Sequence, residues 1–190
     1  MRGKKSSSRS LDEALSAILK VLEHRQVPYM VMGGLALSAW GRVRLTQVVD
    51  LSLGLDEQEE TRFLEELQKA HFLPTTPRAI IGHRLLVCRY LKPTKGLPVE
   101  VDLFFARGDY QRQAIHRAVV VHVGHHRLRI IAPEDLILHK LLADRPIDRL
   151  DIQGILQEQA GRLDTRYLSQ WARRLGLSKL LENLLKRRRK

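Results

Sequence analysis

Gly33, Gly34, Arg44, Thr46, Asp50 and Asp102 are the residues of this chain whose types and order could handle phosphate. Paired glycines after the short apolar run "YMVM" let the backbone turn sharply, and a helix starting there would aim free N–H groups and its positive dipole end at an anion. The next stretch, "RVRLTQVVDLSL" at residues 42–53, supplies an arginine, a threonine and a carboxylate. A later run, "VEVDLFF" at 99–105, delivers Asp102. A glycine pair alone commonly means only a tight turn. It gains weight here because a phosphate cradle and carboxylates would face each other across one cleft.

Those residues need strands and helices to place them. Alternation over 48–53 puts Val48, Asp50 and Ser52 on one strand face, where a polar row is expected, and Val49, Leu51 and Leu53 on the other. In 99–105, Glu100, Asp102 and Phe104 share one face and the remaining apolar residues the opposite one. Upstream, Ser10 and Glu13 have capping-box spacing before the stripe Leu11, Ala14, Leu15, Ile18, Leu19 and Leu22, which predicts a helix from 11 to 25. "LALSAWG" reads as a short helix closed by Gly41, and Asp56 opens another to about residue 70 with Phe63, Leu64 and Leu67 inward. Further strands are expected over 80–91 and as a pair, 119–123 and 127–131, around "GHH". From Pro133 the pattern turns helical: a proline-and-acid first turn, a second helix to about Gln159, then two helices capped by Asp164 and Ser178 with Gly176 as a stop between them. The expected architecture is α/β (α+β): a mixed sheet with flanking helices over 10–131, a helical part over 132–185 packed on it, and basic tails at 1–9 and 186–190.

Composition narrows the classes. A 190-residue chain that is 44% hydrophobic can bury one sizeable core, and its net charge of +12 favours polyanionic partners such as RNA, DNA or nucleoside triphosphates. Much of that charge lies in the terminal runs "MRGKK" and "KRRRK". The sole cysteine, Cys88, sits in the apolar run "RLLVCRYL" and reads as an inert buried thiol in a reducing, cytoplasmic protein. No run approaches a membrane span, so no membrane partner is expected. His122, His125 and His126 cluster in "VHVGHH" but match no strong metal-ligand spacing. Trp40 and Trp171 read as core residues, and 5% aromatics do not support sequence-specific single-strand recognition. A helix-turn-helix around "RRLGLSK" has a suitable turn but lacks a basic recognition helix.

Three ordered motifs, "VMGGLALSAWGRVRLTQVVDLSL", "VEVDLFF" and "APEDLILHKLLADRPIDRLDI", resemble the nucleotidyltransferase-fold family that includes the AbiEii-type abortive-infection toxins, within the DNA polymerase beta-like superfamily. The resemblance runs from about Tyr29 to Ile155. That family's strand motif reads Arg-x-Thr-x-Asp-hydrophobic-Asp, which Arg44, Thr46, Val49 and Asp50 follow, with Val48 at the first acid position. The resemblance implies attack of a hydroxyl on the alpha-phosphate of a nucleoside triphosphate, with pyrophosphate leaving and Mg²⁺ or Mn²⁺ clamping the reacting oxygens. Asp50 and Asp102 would be the catalytic and metal-binding acids. Gly33, Gly34, Arg44 and Thr46 would face the nucleotide, and Lys140, Arg145, Asp148 and Asp151 would bind triphosphate or shape the wall, the last two lying three apart on one helix face. A toxin-like role adds an acceptor hydroxyl on RNA or protein, and an antitoxin partner. Losing a first-sphere carboxylate at Val48 should impair activity unless Glu100 compensates. The alternatives are an inactive homologue that binds nucleotide, nucleic acid or a protein partner, and an active enzyme in which Val48 is an engineered change.

Overall fold

Alternating apolar residues over short runs assemble a seven-stranded mixed sheet in the order β3-β4-β5-β2-β1-β7-β6. The computed structural model describes residues 2–41, 46–81 and 85–187, with side chains at 2–7, 76–87 and 187 left aside. In chain order the elements are α1 (Arg2–His24), β1 (Tyr29–Val31), α2 (Gly33–Trp40), β2 (Val48–Leu53), α3 (Glu57–Lys69), β3 (Leu73–Ile81), β4 (Leu85–Lys92) and β5 (Val99–Phe105). They continue as α4 (Asp109–His116), β6 (Val119–Val123), β7 (His126–Ile130), α5 (Pro133–Ala143), α6 (Pro146–Glu158), α7 (Thr165–Arg174) and α8 (Ser178–Arg187). β2 runs parallel to β5, and β1 parallel to β7. The other neighbours are antiparallel. The expected mixed sheet followed by a helical C-terminal part is what forms.

The alternation read in the sequence decides which face is core. Val49, Leu51 and Leu53 of β2 and Val99, Val101, Leu103 and Phe105 of β5 are all buried, and Ile18, Leu22, Phe63 and Leu67 from α1 and α3 join the same cluster. Each such side chain contributes about 1.5–3 kcal/mol on burial. That is ample to hold β2 and β5 adjacent, which matters because they carry the two acids.

Several elements differ from expectation for identifiable reasons. α1 begins at Arg2 rather than 11, so Ser10 and Glu13 do not cap it. Ser10 is instead buried inside the helix and accepts from Thr94 Oγ1 at 2.9 Å, while Glu13 accepts from the Lys95 N–H at 2.9 Å. The strand expected over 80–91 is two strands, β3 and β4, separated by residues outside those described. β3 starts at Leu73 and holds Pro74 and Pro77, which disguise it; a proline's missing N–H is tolerable there because β3 is an edge strand. α4 has no long apolar stripe and was not anticipated. Gly41 does close α2, but with φ −155 rather than left-handed; a Cβ there would meet the Ile155 amide nitrogen at 3.0 Å, so the glycine permits close approach of α6.

The helical part docks through buried charge. Arg117, at the end of α4, donates to Glu134 (2.9 Å) and Asp135 (3.0 Å) in the first turn of α5. Tyr167 Oη of α7 donates to Asp135 at 2.7 Å, and the Asp164 N–H donates to Glu134 at 2.8 Å. The acids that sequence placed at a helix start for its dipole therefore also bridge three elements. Trp40 Nε1 donates to the Ile131 carbonyl at 2.6 Å, tying α2 to the residue that follows β7. No helix among the described residues is long and apolar enough to cross a membrane.

Candidate functional site

Asp50 and Asp102 are partners in the parallel register of β2 and β5, so both project from the same sheet face. Two residues earlier in the register, on the same face, Val48 pairs with Glu100. The face therefore shows an aliphatic group and a carboxylate in one row and two carboxylates in the next.

Gly33 and Gly34 meet this strip at van der Waals range. Gly33, at φ +59, has no room for a side chain: a Cβ would stand 1.9 Å from Asp50 Oδ2. A Cβ on Gly34 would stand 2.7 Å from Thr46 Cβ. The paired glycines are thus required twice over, by backbone conformation at the first and by close approach at both, of Asp50 in β2 to Gly33 and of Thr46 in its lead-in to Gly34. The Gly34 N–H, at the start of α2, faces the Asp50 carboxylate and favours its charged form. Thr46 folds back on its own strand, its Oγ1 accepting from the Val48 N–H and donating to the Val48 carbonyl, each at 3.2 Å. Arg44 lies outside the described residues.

The two acids differ sharply in charge environment. Arg89 of β4, the register partner of Asp102, donates from Nε to Oδ1 at 2.7 Å and from Nη2 to Oδ2 at 2.8 Å. This fork uses both carboxylate oxygens, and Arg89 Nη1 also lies 3.8 Å from Glu100. The pairing holds the Arg89 guanidinium more firmly protonated than usual. No described cation makes such a fork on Asp50. Burial first, and the neighbouring Asp102 charge second, push its carboxyl up to about 6; Arg145, the Gly34 N–H and Arg89 offset part of this.

Lys140, Arg145, Asp148 and Asp151 do converge, but on each other. Lys140 is buried and donates to Asp148 at 3.1 Å and Asp151 at 2.6 Å. Arg145 donates to Asp148 from Nε at 2.7 Å and from Nη2 at 3.1 Å. These bonds hold the Asp148 carboxyl below the ordinary range despite burial, and Arg149 pairs with Asp144 instead. Lys140 is thus committed to two aspartates, whereas the Arg145 side chain remains 67% exposed and its charge reaches Asp50.

A pair of divalent cations held by three carboxylates does not fit this donor set. Val48 offers no ligand atom, and both oxygens of Asp102 are taken by Arg89. Arg89 is the residue that sequence reasoning passed over. Its signal was an arginine inside the strand-like run "LLVCRYL", where a charge demands a partner.

No protein-family model and no curated protein sequence matches the chain. Similarity appears among solved structures. The adenylyltransferase ANT(2")-Ia in complex with adenylyl-2"-tobramycin aligns with a TM-score of 0.57 at 15% identity, covering 85% of this chain and 95% of that one. The lincosamide antibiotic adenylyltransferase LnuA, lincomycin-bound, aligns at 0.52 and 15% identity over 75% and 94%. A putative nucleotidyltransferase from Thermotoga maritima aligns at 0.51 and 12% identity over 77% and 92%. The sheet order, the helical C-terminal part and these alignments together establish that the chain has the nucleotidyltransferase fold.

Proposed function

We propose that this protein binds a nucleoside triphosphate in the cleft between the Gly33–Gly34 turn, Asp50 and Arg145, and that metal-dependent nucleotide transfer is lost or strongly reduced. The observation that carries this reading is the Arg89 fork on Asp102. In the chemistry implied by the motif resemblance, the acids at positions 48, 50 and 102 would share the charge of two cations. Here one position is Val48 and another is neutralised by a guanidinium, leaving Asp50 as the carboxylate without a fork. The largely exposed Arg145 supplies positive charge to phosphate without an ion, and the N–H groups at the start of α2 supply donors. The chain's net charge of +12 suits a nucleotide or nucleic-acid ligand.

Two assays test this together. Binding of a fluorescent ATP or GTP analogue should be saturable and should weaken at least about tenfold in Arg145→Ala, the loss of one charge-assisted contact. Alpha-labelled nucleoside triphosphates incubated with Mg²⁺ or Mn²⁺, bulk RNA and protein should give no incorporation. Metal-dependent labelling that Asp50→Asn abolishes would sink the proposal.

That outcome would favour a second reading: slow, toxin-like transfer to a hydroxyl on RNA or protein, restrained by an antitoxin. Its supporting observation is Asp50 itself. A carboxyl held near 6 beside the Gly33–Gly34 turn is a better proton acceptor than an ordinary aspartate.

A further inference from the structure

We propose that Asp12, His125 and His126 form a site for one divalent transition-metal ion of the zinc class, separate in its ligands from the Asp50–Asp102 cleft. Asp12 lies on α1, and the histidines lie at the turn joining β6 and β7; neither element contributes a residue to that cleft. Asp12 Oδ1 is 2.9 Å from His126 Nε2 and 3.4 Å from His125 Nδ1, and the three donor atoms lie within 4.8 Å of one another.

The local backbone explains how adjacent histidines can act together. Neighbours on a straight strand point to opposite faces. Here Gly124, at φ +60, opens a two-residue turn with His125, and Val123 pairs with His126 across it. The turn brings both imidazoles to the same side, with ring centroids 4.0 Å apart. Gly124 has open space around it, so its role is the left-handed turn itself.

Ligand spacing and chemistry then match a cation. Zinc bonds of about 2.0–2.2 Å at tetrahedral angles separate donor atoms by about 3.3 Å. The two separations from Asp12 bracket that value, so small side-chain adjustments suffice. A hydrogen bond between His126 and Asp12 accounts for one contact but not for a second imidazole nitrogen crowding the same carboxylate oxygen. Two imidazoles and a carboxylate suit Zn²⁺, Co²⁺ or Ni²⁺ better than Mg²⁺, which prefers an all-oxygen shell. His126 is anchored by burial, with 8% of its side chain exposed, whereas Asp12 at 44% and His125 at 68% leave an entry path and a fourth position for water. Bound there, the ion would pin α1 to the hairpin formed by β6 and β7. Sequence spacing concealed the site because one ligand sits more than a hundred residues from the others, and His122 is not among the three.

The test uses the untagged full chain, freed of metal by chelation and titrated with Co²⁺ as a spectroscopic probe. One equivalent should bind with visible d–d absorption typical of a nitrogen- and oxygen-ligated ion, and Zn²⁺ should displace it. Asp12→Asn keeps the shape of a half-buried side chain and His125→Ala changes an exposed one, so folding should survive, as circular dichroism would verify. Each should weaken Co²⁺ binding at least about tenfold, since even outer-shell partners of metal ligands cost that much. Asp50→Asn should leave it unchanged. Absence of saturable binding up to millimolar Co²⁺ overturns the proposal, as does wild-type affinity in both Asp12→Asn and His125→Ala.

Discussion

Asp50 and Asp102 stand side by side in register on neighbouring parallel strands, yet Arg89 forks onto Asp102 alone. The strand pairing equalises their positions and the third strand makes their chemistry unequal. Asp102 is a stabilised, occupied carboxylate, while Asp50 bears the cost of a desolvated charge next to a like one. Four measurements follow from this asymmetry and its surroundings.

Asp50 is held at about 6 against an ordinary 3.8, so the folded state binds its proton more tightly than the unfolded chain. The resulting penalty is absent at low pH, where both states are protonated, grows between about pH 4 and 6, and is complete above that. The shift corresponds to about 3 kcal/mol. Asp50→Asn should therefore be more stable than wild type by up to about that amount at pH 7 and indistinguishable from it near pH 3.5. Urea unfolding at the two pH values reads the difference; equal midpoints at pH 7 would refute it.

Arg89→Met should strand Asp102, whose side chain is only 9% exposed. Because the Arg89 side chain is itself 43% exposed, the loss should be about 1–3 kcal/mol, less than for a fully buried pair. The same change frees both oxygens of Asp102. Combining it with Val48→Asp in an Asp12→Asn background should create Mn²⁺ binding that the Asp12→Asn parent lacks, detectable as loss of the free-ion signal in paramagnetic resonance. A combined variant no better than that parent would show that these two positions do not set the metal capacity of the cleft.

Gly33→Ala places a Cβ on Asp50 Oδ2 and also strains a left-handed residue. It should destabilise by more than about 3 kcal/mol, above the left-handed penalty alone. Removing the obstructing carboxylate in Gly33→Ala/Asp50→Ala should restore part of that loss. The double-mutant cycle should therefore show coupling of at least about 1 kcal/mol, and additivity would mean that the clash is relieved by backbone movement.

His139, on α5 beside the Tyr110 ring, has its Nε2 sealed from solvent without a hydrogen-bond partner among the described residues. Burial pushes it down to about 4. Below the ordinary imidazole value the unfolded chain gains a proton that the folded state refuses, so stability should fall as pH drops from about 6.5 to 4. His139→Phe should flatten that slope and gain stability at acid pH. Its trend opposes that of Asp50→Asn, so the two variants separate the acid and base contributions in one pH series.

How legible the fold was depended on how local its signals were. Alternation in "VVDLSL" and "VEVDLFF" identified both central strands and their buried faces, since side-chain period follows directly from strand geometry. The glycine pair, the acid-led starts of α3 and α5 and the stop at Gly176 were readable for the same reason. β3 was hidden by prolines that only an edge position makes harmless, and Ser10 imitated a cap although its hydroxyl serves a contact with Thr94.

Sequence by itself determined that two acids, a glycine turn and a helical segment carrying Lys140 and Arg145 occur in an order suited to one cleft, because residue type and spacing are properties of the chain alone. Only tertiary structure decided which charges meet. Arg89 reaches Asp102 because antiparallel pairing of β4 with β5 sets them opposite, and Lys140 is spent on Asp148 and Asp151 because α5 and α6 fold against each other. Asp12 likewise meets His125 and His126 through the packing of distant elements. Electrostatic energy falls with distance through space, and separation along the chain does not report that distance.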